Sequence, residues 1–298
     1  MTAPLLEARD VAVEYPLRPA RLFGARRTLA AVDGVSFSLA HGSTLGLVGE
    51  SGSGKSTLAR AVLRLVPLAR GTVLLDGEDL AGLDGRALRA RRRLAQLVFQ
   101  DPQGSLDPRM TAGDIIAEPL DTFLRGLARD ERARRVADMM SRVGLSPAHL
   151  NRYPHEFSGG QCQRIGIARA LVIEPKLLVC DEPVSALDVS IQAQIVNLLA
   201  SLKDSLGLAM LFIAHDLRVV RHLCDRVMVM QRGRIVEIAP TAELFAHPRH
   251  ACTKALIDAV PVPDPRAERA RRASRRQVAE AGNGNGIGMP LTVRSPPA

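Results

Sequence analysis

The sequence predicts an α/β fold whose core of short strands and helices begins with an antiparallel portion and is interrupted by a helical insertion. Three observations predict it. Short aliphatic and β-branched runs bounded by turns fill the first hundred residues, the strand signal fades over about 101–157, and strand–helix alternation resumes after Ser158.

Taken in order, strands are expected over 11–15, 35–39, 45–48, 72–75 and 94–99, with Asp76-Gly77 as a turn and a helix from Lys55 to about Leu65. Within 101–157 the stretches 112–120 and 131–143 carry apolar residues at helical spacing, punctuated by Pro102, Pro108, Pro147 and Pro154. Beyond Ser158 the expected order is a helix to about Ile173, strand 177–180, helix 189–206, strand 210–214, helix 217–223 and strand 226–230, after which Gly233 turns the chain back. A proline-marked segment covers 240–265. The remainder, 266–298, opens with arginines and ends in a Gly/Asn/Pro stretch over 282–298 that has too little apolar material to fold, so disorder is expected there. No internal repeat is visible, which leaves one unit over about 5–262.

The totals suit that organisation. A chain of 298 residues that is 46 % hydrophobic and 24 % charged can bury a full core. No apolar run approaches the roughly 20 residues that span a bilayer. The start carries Glu7, Arg9 and Asp10 and lacks the basic-then-apolar pattern of a secretory signal, so a cytoplasmic location is expected. Cys162, Cys180, Cys224 and Cys252 form no C-x-x-C pair, which argues against a zinc site or a disulfide framework and for buried thiols. The net charge of +9 raises the question of a polyanionic partner. Six arginines and one glutamate between Arg266 and Arg276 supply +5 of it and leave +4 elsewhere. With 3 % aromatics and no Trp to stack on bases, a solvated tail is the favoured reading and no nucleic acid is expected. A hold on anionic lipid is the alternative for that arginine run.

The chemistry begins at Gly49-Glu50-Ser51-Gly52-Ser53-Gly54-Lys55-Ser56-Thr57, which fits the phosphate-binding pattern G-x4-G-K-S/T and stands between a strand and a helix. Glycines let the backbone curl so that successive N–H groups point inward, and the helix start adds roughly half a positive charge. Lys55 would reach the β- and γ-phosphates of a nucleotide, and the Ser56 hydroxyl would ligate Mg2+. A metal-bound triphosphate also needs carboxylates. Asp181-Glu182 ends the apolar run Leu177-Leu178-Val179-Cys180, where adjacent acids are costly without a counter-charge. Alone, that pair equally suits a strand end that caps the next helix. Beside the phosphate loop, Asp181 reads as a Mg2+ or metal-water partner and Glu182 as the base that orients and deprotonates water.

At Ser158-Gly159-Gly160-Gln161 these residues, with the phosphate loop, Asp181-Glu182, Ser185-Ala186-Leu187-Asp188 and His215, resemble the ABC ATPase cassette. The resemblance implies a P-loop NTPase with a RecA-like core, an N-terminal antiparallel β subdomain and a helical insertion, and it covers about 5–262. Ser158-Gly159-Gly160 ahead of a helix is a second anion-seeking helix start, and by resemblance it meets the γ-phosphate of ATP held by the other of two cassettes. Gln100 matches the residue that contacts Mg2+ and senses the transmembrane partner, His215 the switch histidine at the γ-phosphate, and Asp188 the loop that crosses between cassettes. Tyr15 matches the aromatic that stacks on adenine, although an isolated Tyr equally suits a core.

Finer strings are similar to the oligopeptide, dipeptide and nickel importer branch: Val98-Phe99-Gln100-Asp101-Pro102, Ser105-Leu106-Asp107-Pro108-Arg109-Met110-Thr111, Arg152-Tyr153-Pro154-His155-Glu156-Phe157 and Pro261-Val262-Pro263. Cys162 and Cys252 depart from it, standing where Arg and Tyr are usual. The resemblance implies an ATP-hydrolysing subunit of a peptide importer, with import of nickel or another small solute as the alternative and a nucleic-acid-associated ATPase behind both. It further implies a second ATPase subunit, a homologue more than an identical copy, two transmembrane permease subunits, an extracytoplasmic binding protein reached indirectly, and a place on the cytoplasmic face of the membrane.

Overall fold

The computed structural model describes residues 3–17, 27–259 and 293–294. Before the insertion come β1 (Leu6–Leu17), β2 (Arg27–Leu39), β3 (Thr44–Val48), α1 (Lys55–Val62), β4 (Arg70–Leu75), β5 (Glu78–Asp79), α2 (Gly85–Arg92) and β6 (Ala95–Val98). The insertion holds α3 (Ala112–Phe123), α4 (Arg129–Arg142) and 3-10 turns at Pro147–His149 and Pro154–Glu156. There follow α5 (Gly159–Leu171), β7 (Leu177–Asp181), α6 (Val189–Leu206), β8 (Ala209–Ile213), α7 (Leu217–Leu223), β9 (Arg226–Gln231), β10 (Arg234–Pro240), α8 (Thr241–Ala246) and α9 (Ala251–Ala259), and Val293–Arg294 form β11.

Two sheets result. The antiparallel one runs β11-β2-β1-β4-β5, and the other runs β10-β9-β3-β8-β7-β6, parallel from β9 to β6 with β10 antiparallel at its edge. The parallel strands read as continuous apolar runs because both their faces are covered. Successive side chains point to opposite faces, so the odd and even residues of one strand enter different cores. Leu177, Val179, Leu211 and Ile213 pack with α1 and the antiparallel sheet, whereas Leu178, Cys180, Met210 and Phe212 pack with the insertion and α5. Phe212 is fully buried, and truncating such a ring typically costs about 3–5 kcal/mol.

The expected strands and helices are present, with shifted ends. β1 extends well beyond 11–15 because β2 and β4 both pair with it, and the chain passes an irregularity where Asp10 takes φ 49°. α1 stops short of Leu65: Arg64 adopts a left-handed φ of 54° and the Leu65 amide closes back on the Arg60 carbonyl at 2.8 Å, a helix-ending turn. α2 had no apolar period to announce it, since none of its residues is buried. The proline-marked segment from 240 contributes α8 and α9. Of the tail, Val293–Arg294 lie along β2, whose outer edge offers free backbone groups; the rest of 260–298, including Pro261-Val262-Pro263 and the arginine run, lies outside the described residues. Among the described residues no helix is long and apolar enough to cross a membrane.

Candidate functional site

Four adjacent parallel strands deliver the predicted residues to one edge. β3 ends at Val48 and leads into the phosphate loop, β6 ends two residues before Gln100, β7 ends at Asp181, and β8 ends two residues before His215. Their register, Val98 opposite Cys180 and Asp181 opposite Ile213, brings these ends level. Ligand chemistry at the carboxyl ends of parallel strands follows from that geometry.

The loop is fixed from both sides. Gly54 takes φ 105°, and a Cβ there would stand 2.2 Å from the Ala31 carbonyl oxygen on β2; a Cβ at Gly49 would stand 2.1 Å from the Met230 carbonyl oxygen on β9. The Gly233 amide donates to the Ser53 carbonyl at 2.9 Å, and the Ser53 amide to the Glu50 carbonyl at 3.2 Å. Leu58 is the first residue of α1 whose amide reaches a backbone carbonyl, that of Gly54 at 2.9 Å. The amides of Lys55, Ser56 and Thr57 are therefore the free donors of a helix start. Lys55 is 5 % exposed and donates through Nζ to the carbonyls of Gly49 and Glu50, both at 2.9 Å, leaving its third N–H for a ligand. Burial lowers its pKa, while Glu182 and Asp181 oppose the shift. Ser51, Gly52, Gly54, Lys55, Ser56, Thr57, Gln100, Glu182 and Ala31 line a cleft of about 290 Å3.

Facing the loop, Asp181 is 4 % exposed and accepts from the Ser56 hydroxyl at 2.8 Å. Burial raises its pKa, and the Ser56 bond and the charge of Arg60 pull it back. A buried carboxylate beside a partly buried hydroxyl is the hard-oxygen pair that Mg2+ prefers. Mg2+ is commonly held by one or two protein oxygens and completes its shell with phosphate oxygens and water, and the Ser56–Asp181 pair fits that donor set. Glu182 holds φ 48°, a left-handed conformation costly for a residue with a Cβ, and its amide donates to the Ile213 carbonyl at 3.1 Å. That turn projects the carboxylate into the cleft. There Gln100 Nε2 donates to its Oε2 at 3.2 Å, and His215 Nδ1 stands 3.5 Å from the same oxygen.

Other predicted residues lie apart from this cleft. Ser158 caps α5: its hydroxyl accepts from the Gln161 amide at 3.3 Å while the Gln161 side chain accepts from the Ser158 amide at 2.9 Å, a reciprocal capping box. Gly160 is needed for packing, since a Cβ would approach Ile191 Cγ2 on α6 to 2.6 Å. Gly159 lies beside it. Asp188 precedes α6 on an exposed stretch, with Val189 77 % exposed after it. Tyr15 is exposed on β1 opposite Leu29, on the strand next to Ala31, and is not among the cleft-lining residues. Sequence reasoning missed Ala31, which no motif marks, and Arg60, which stands one helical turn after Ser56 and so shares its face. Cys162, buried, directs its thiol at the Pro154 carbonyl at 3.5 Å.

A second hollow, of about 410 Å3, separates the core from the insertion. Leu65, Leu97, Phe99, Pro119 and Phe123 line it with Glu118, Arg92 and Arg169. Arg169 donates to the Ser105 carbonyl at 2.7 Å and lies 5.8 Å from the Phe99 ring centre.

Comparison with known proteins agrees with this geometry. Residues 32–185 match the family described as ABC transporter, and residues 236–287 match the family described as the C-terminal region of oligopeptide/dipeptide transporters. The chain is 54 % identical over 270 residues, 90 % of its own length and 81 % of the relative's, to the oligopeptide transport ATP-binding protein OppF of Salmonella typhimurium. It is 51 % identical over 281 residues, covering 94 % of this chain and 86 % of the relative, to a putative peptide import ATP-binding protein of Brucella ovis. Among solved structures, a post-hydrolysis dimer of the ATP-binding cassette MJ0796 bound to ADP and phosphate is similar at TM-score 0.71 and 28 % identity, covering 79 % of this chain and 98 % of that one. The cbiO1 subunit of Clostridium perfringens, part of an ABC transporter complex, is similar at TM-score 0.73 and 26 % identity, covering 90 % and 99 %.

Proposed function

Since this chain belongs to the ABC transporter family, we propose that it is the ATP-hydrolysing subunit of a peptide importer, working at the cytoplasmic face of a membrane. One observation carries the hydrolytic part: Glu182 shares a single cleft with the phosphate cradle, and Asp181 is tied to that cradle by the Ser56–Asp181 hydrogen bond. The peptide part rests on the oligopeptide and peptide-import relatives and on the C-terminal family match.

In this reading the loop amides and Lys55 bind and orient the triphosphate. Ser56 and Asp181, with Gln100 across the cleft, would hold Mg2+, which when bound would supply neutralising charge on the phosphate oxygens. Glu182 positions water and takes its proton; Gln100 and His215, both directed at its Oε2, orient that carboxylate. His215 is half exposed, which leaves it reachable by a γ-phosphate. Ser158, Gly159, Gly160 and Gln161 stand outside their own chain's cleft, and that placement favours a role across a pair of cassettes, with Asp188 at the seam. The hollow beside Phe99 and Arg169, next to Gln100, is the seat for a cytoplasmic segment of one of two permease subunits, and a binding protein outside the membrane delivers the peptide.

The test is co-expression with the candidate permease and partner cassette. Magnesium-dependent ATP hydrolysis that rises with a peptide-loaded binding protein is expected. Hydrolysis stimulated by a nickel-loaded protein instead, or nucleotide affinity unaltered in Lys55→Ala, would overturn the corresponding part.

A further inference from the structure

α2 and the residue after it, 85–93, hold five arginines and no carboxylate. None of the α2 residues is buried, so packing does not explain them. Arg86 with Arg89, and Arg89 with Arg93, stand three and four apart, where like charges repel along a helix. Asp84 caps the start through the Ala87 amide at 2.8 Å, and Arg91 pairs with Glu78. Arg92 donates to the Arg64 carbonyl at 2.6 Å. Arg86, Arg89 and Arg93 are exposed and have no acidic partner among the described residues. The helix also has a definite place: Arg92 lines the hollow between core and insertion, and Arg89 lines the neighbouring one with Arg125 and with Arg132, whose charge Asp121 and Asp114 already answer, Arg109 there being paired with Asp107 and Glu118 bordering both hollows.

We propose that Arg86, Arg89 and Arg93, continued by Arg125, form a face that binds the anionic phospholipid headgroups around the permease. The inference rests on the reading that the hollow beside Phe99 receives a permease segment, for then α2 on its rim faces the membrane. Anionic lipid is the occupant this face fits, because a flat membrane surface can meet Arg86, Arg89 and Arg93 together, while an acidic protein loop is the alternative that the experiment separates. The inner leaflet is negative and attracts the arginine face, and guanidinium forks match phosphate oxygens in paired hydrogen bonds. Each arginine brought to such a surface is worth about fivefold in affinity, hence three are worth on the order of 100-fold.

The experiment uses the full chain sedimented with phosphatidylcholine vesicles, with and without phosphatidylglycerol. Affinity is expected only with the anionic lipid and is expected to fall with salt. It should drop on the order of 100-fold in Arg86→Gln/Arg89→Gln/Arg93→Gln while ATP affinity, which reports folding, stays unchanged. Removal of 266–298 separates α2 from the arginine tail: binding that vanishes with the tail and ignores the triple substitution overturns the proposal, as does equal binding to neutral vesicles. Binding of the parent to an acidic loop peptide in preference to anionic vesicles also overturns it. Assembly with the permease in lipid-free detergent is scored separately. Its loss in the parent chain would count against the permease reading, whereas intact assembly with lipid affinity untouched by the substitutions would count against this face alone.

Discussion

Removing the Ser56 hydroxyl tests the site where stability and function oppose each other. Asp181 sits 4 % exposed with its pKa raised by burial, and Ser56 supplies its one side-chain hydrogen bond among the described residues, at 2.8 Å. A hydrogen bond to a charged group is worth about 1.5–3 kcal/mol, against about 0.5–1.5 kcal/mol for a neutral pair. Ser56→Ala should therefore destabilise the nucleotide-free chain at neutral pH by about 2 kcal/mol, on the order of 4–8 °C in Tm. Asp181→Asn removes the charge that burial penalises, so it should leave the nucleotide-free chain as stable as the parent or more so, while weakening Mg2+-dependent nucleotide binding. In that background Ser56→Ala should cost only about 1 kcal/mol, which gives a coupling near 1 kcal/mol. Denaturant unfolding of the four proteins in chelator measures the cycle. A cost for Ser56→Ala below about 0.5 kcal/mol in the parent, or equal in both backgrounds, would refute the charge-assisted bond.

Three further expectations follow from the same geometry. Glu182→Gln should retain ATP affinity and lower turnover by about 10²- to 10⁴-fold, the usual worth of a general base; normal steady-state hydrolysis would remove Glu182 from that role. Gly54→Ala places a Cβ against the Ala31 carbonyl at φ 105°, so nucleotide affinity measured by calorimetry should collapse, and an unchanged affinity would show the cradle to be pliable. Glu237 on β10 accepts from the amides of Arg249 and His250 at 2.9 and 3.0 Å and from the Thr253 hydroxyl. Burial pushes its pKa up, but these donors win and hold it below the ordinary glutamate value. A depressed carboxylate stabilises above its unfolded pKa, so hydrogen-exchange protection of those two amides should be full at neutral pH and fade as pH falls below the ordinary glutamate range; protection indifferent to pH, or equal in Glu237→Gln, would contradict this.

The phosphate loop, the acid pair and the strand–helix order were readable from sequence because each is a local pattern of five to ten residues. What escaped depends on residues far apart in the chain. The length of β1 is set by pairing with β2 and β4, and Ala31 lines the cleft only because β2 crosses over Gly54. α2 hid for the opposite reason, its arginines leaving no apolar face to detect. The meeting of Gln100, Glu182 and His215 required the register of β6, β7 and β8, which no single segment carries.

The reciprocal cap at Ser158 and Gln161 has one more implication. The cap satisfies the Ser158 and Gln161 amides and leaves those of Gly159 and Gly160 without an acceptor among the described residues. An oxyanion arriving there would replace the serine oxygen at the Gln161 amide and gain the two glycine amides besides, so engagement adds hydrogen bonds that the unengaged turn lacks. Its strength would scale with the negative charge presented to it and fall when that charge departs.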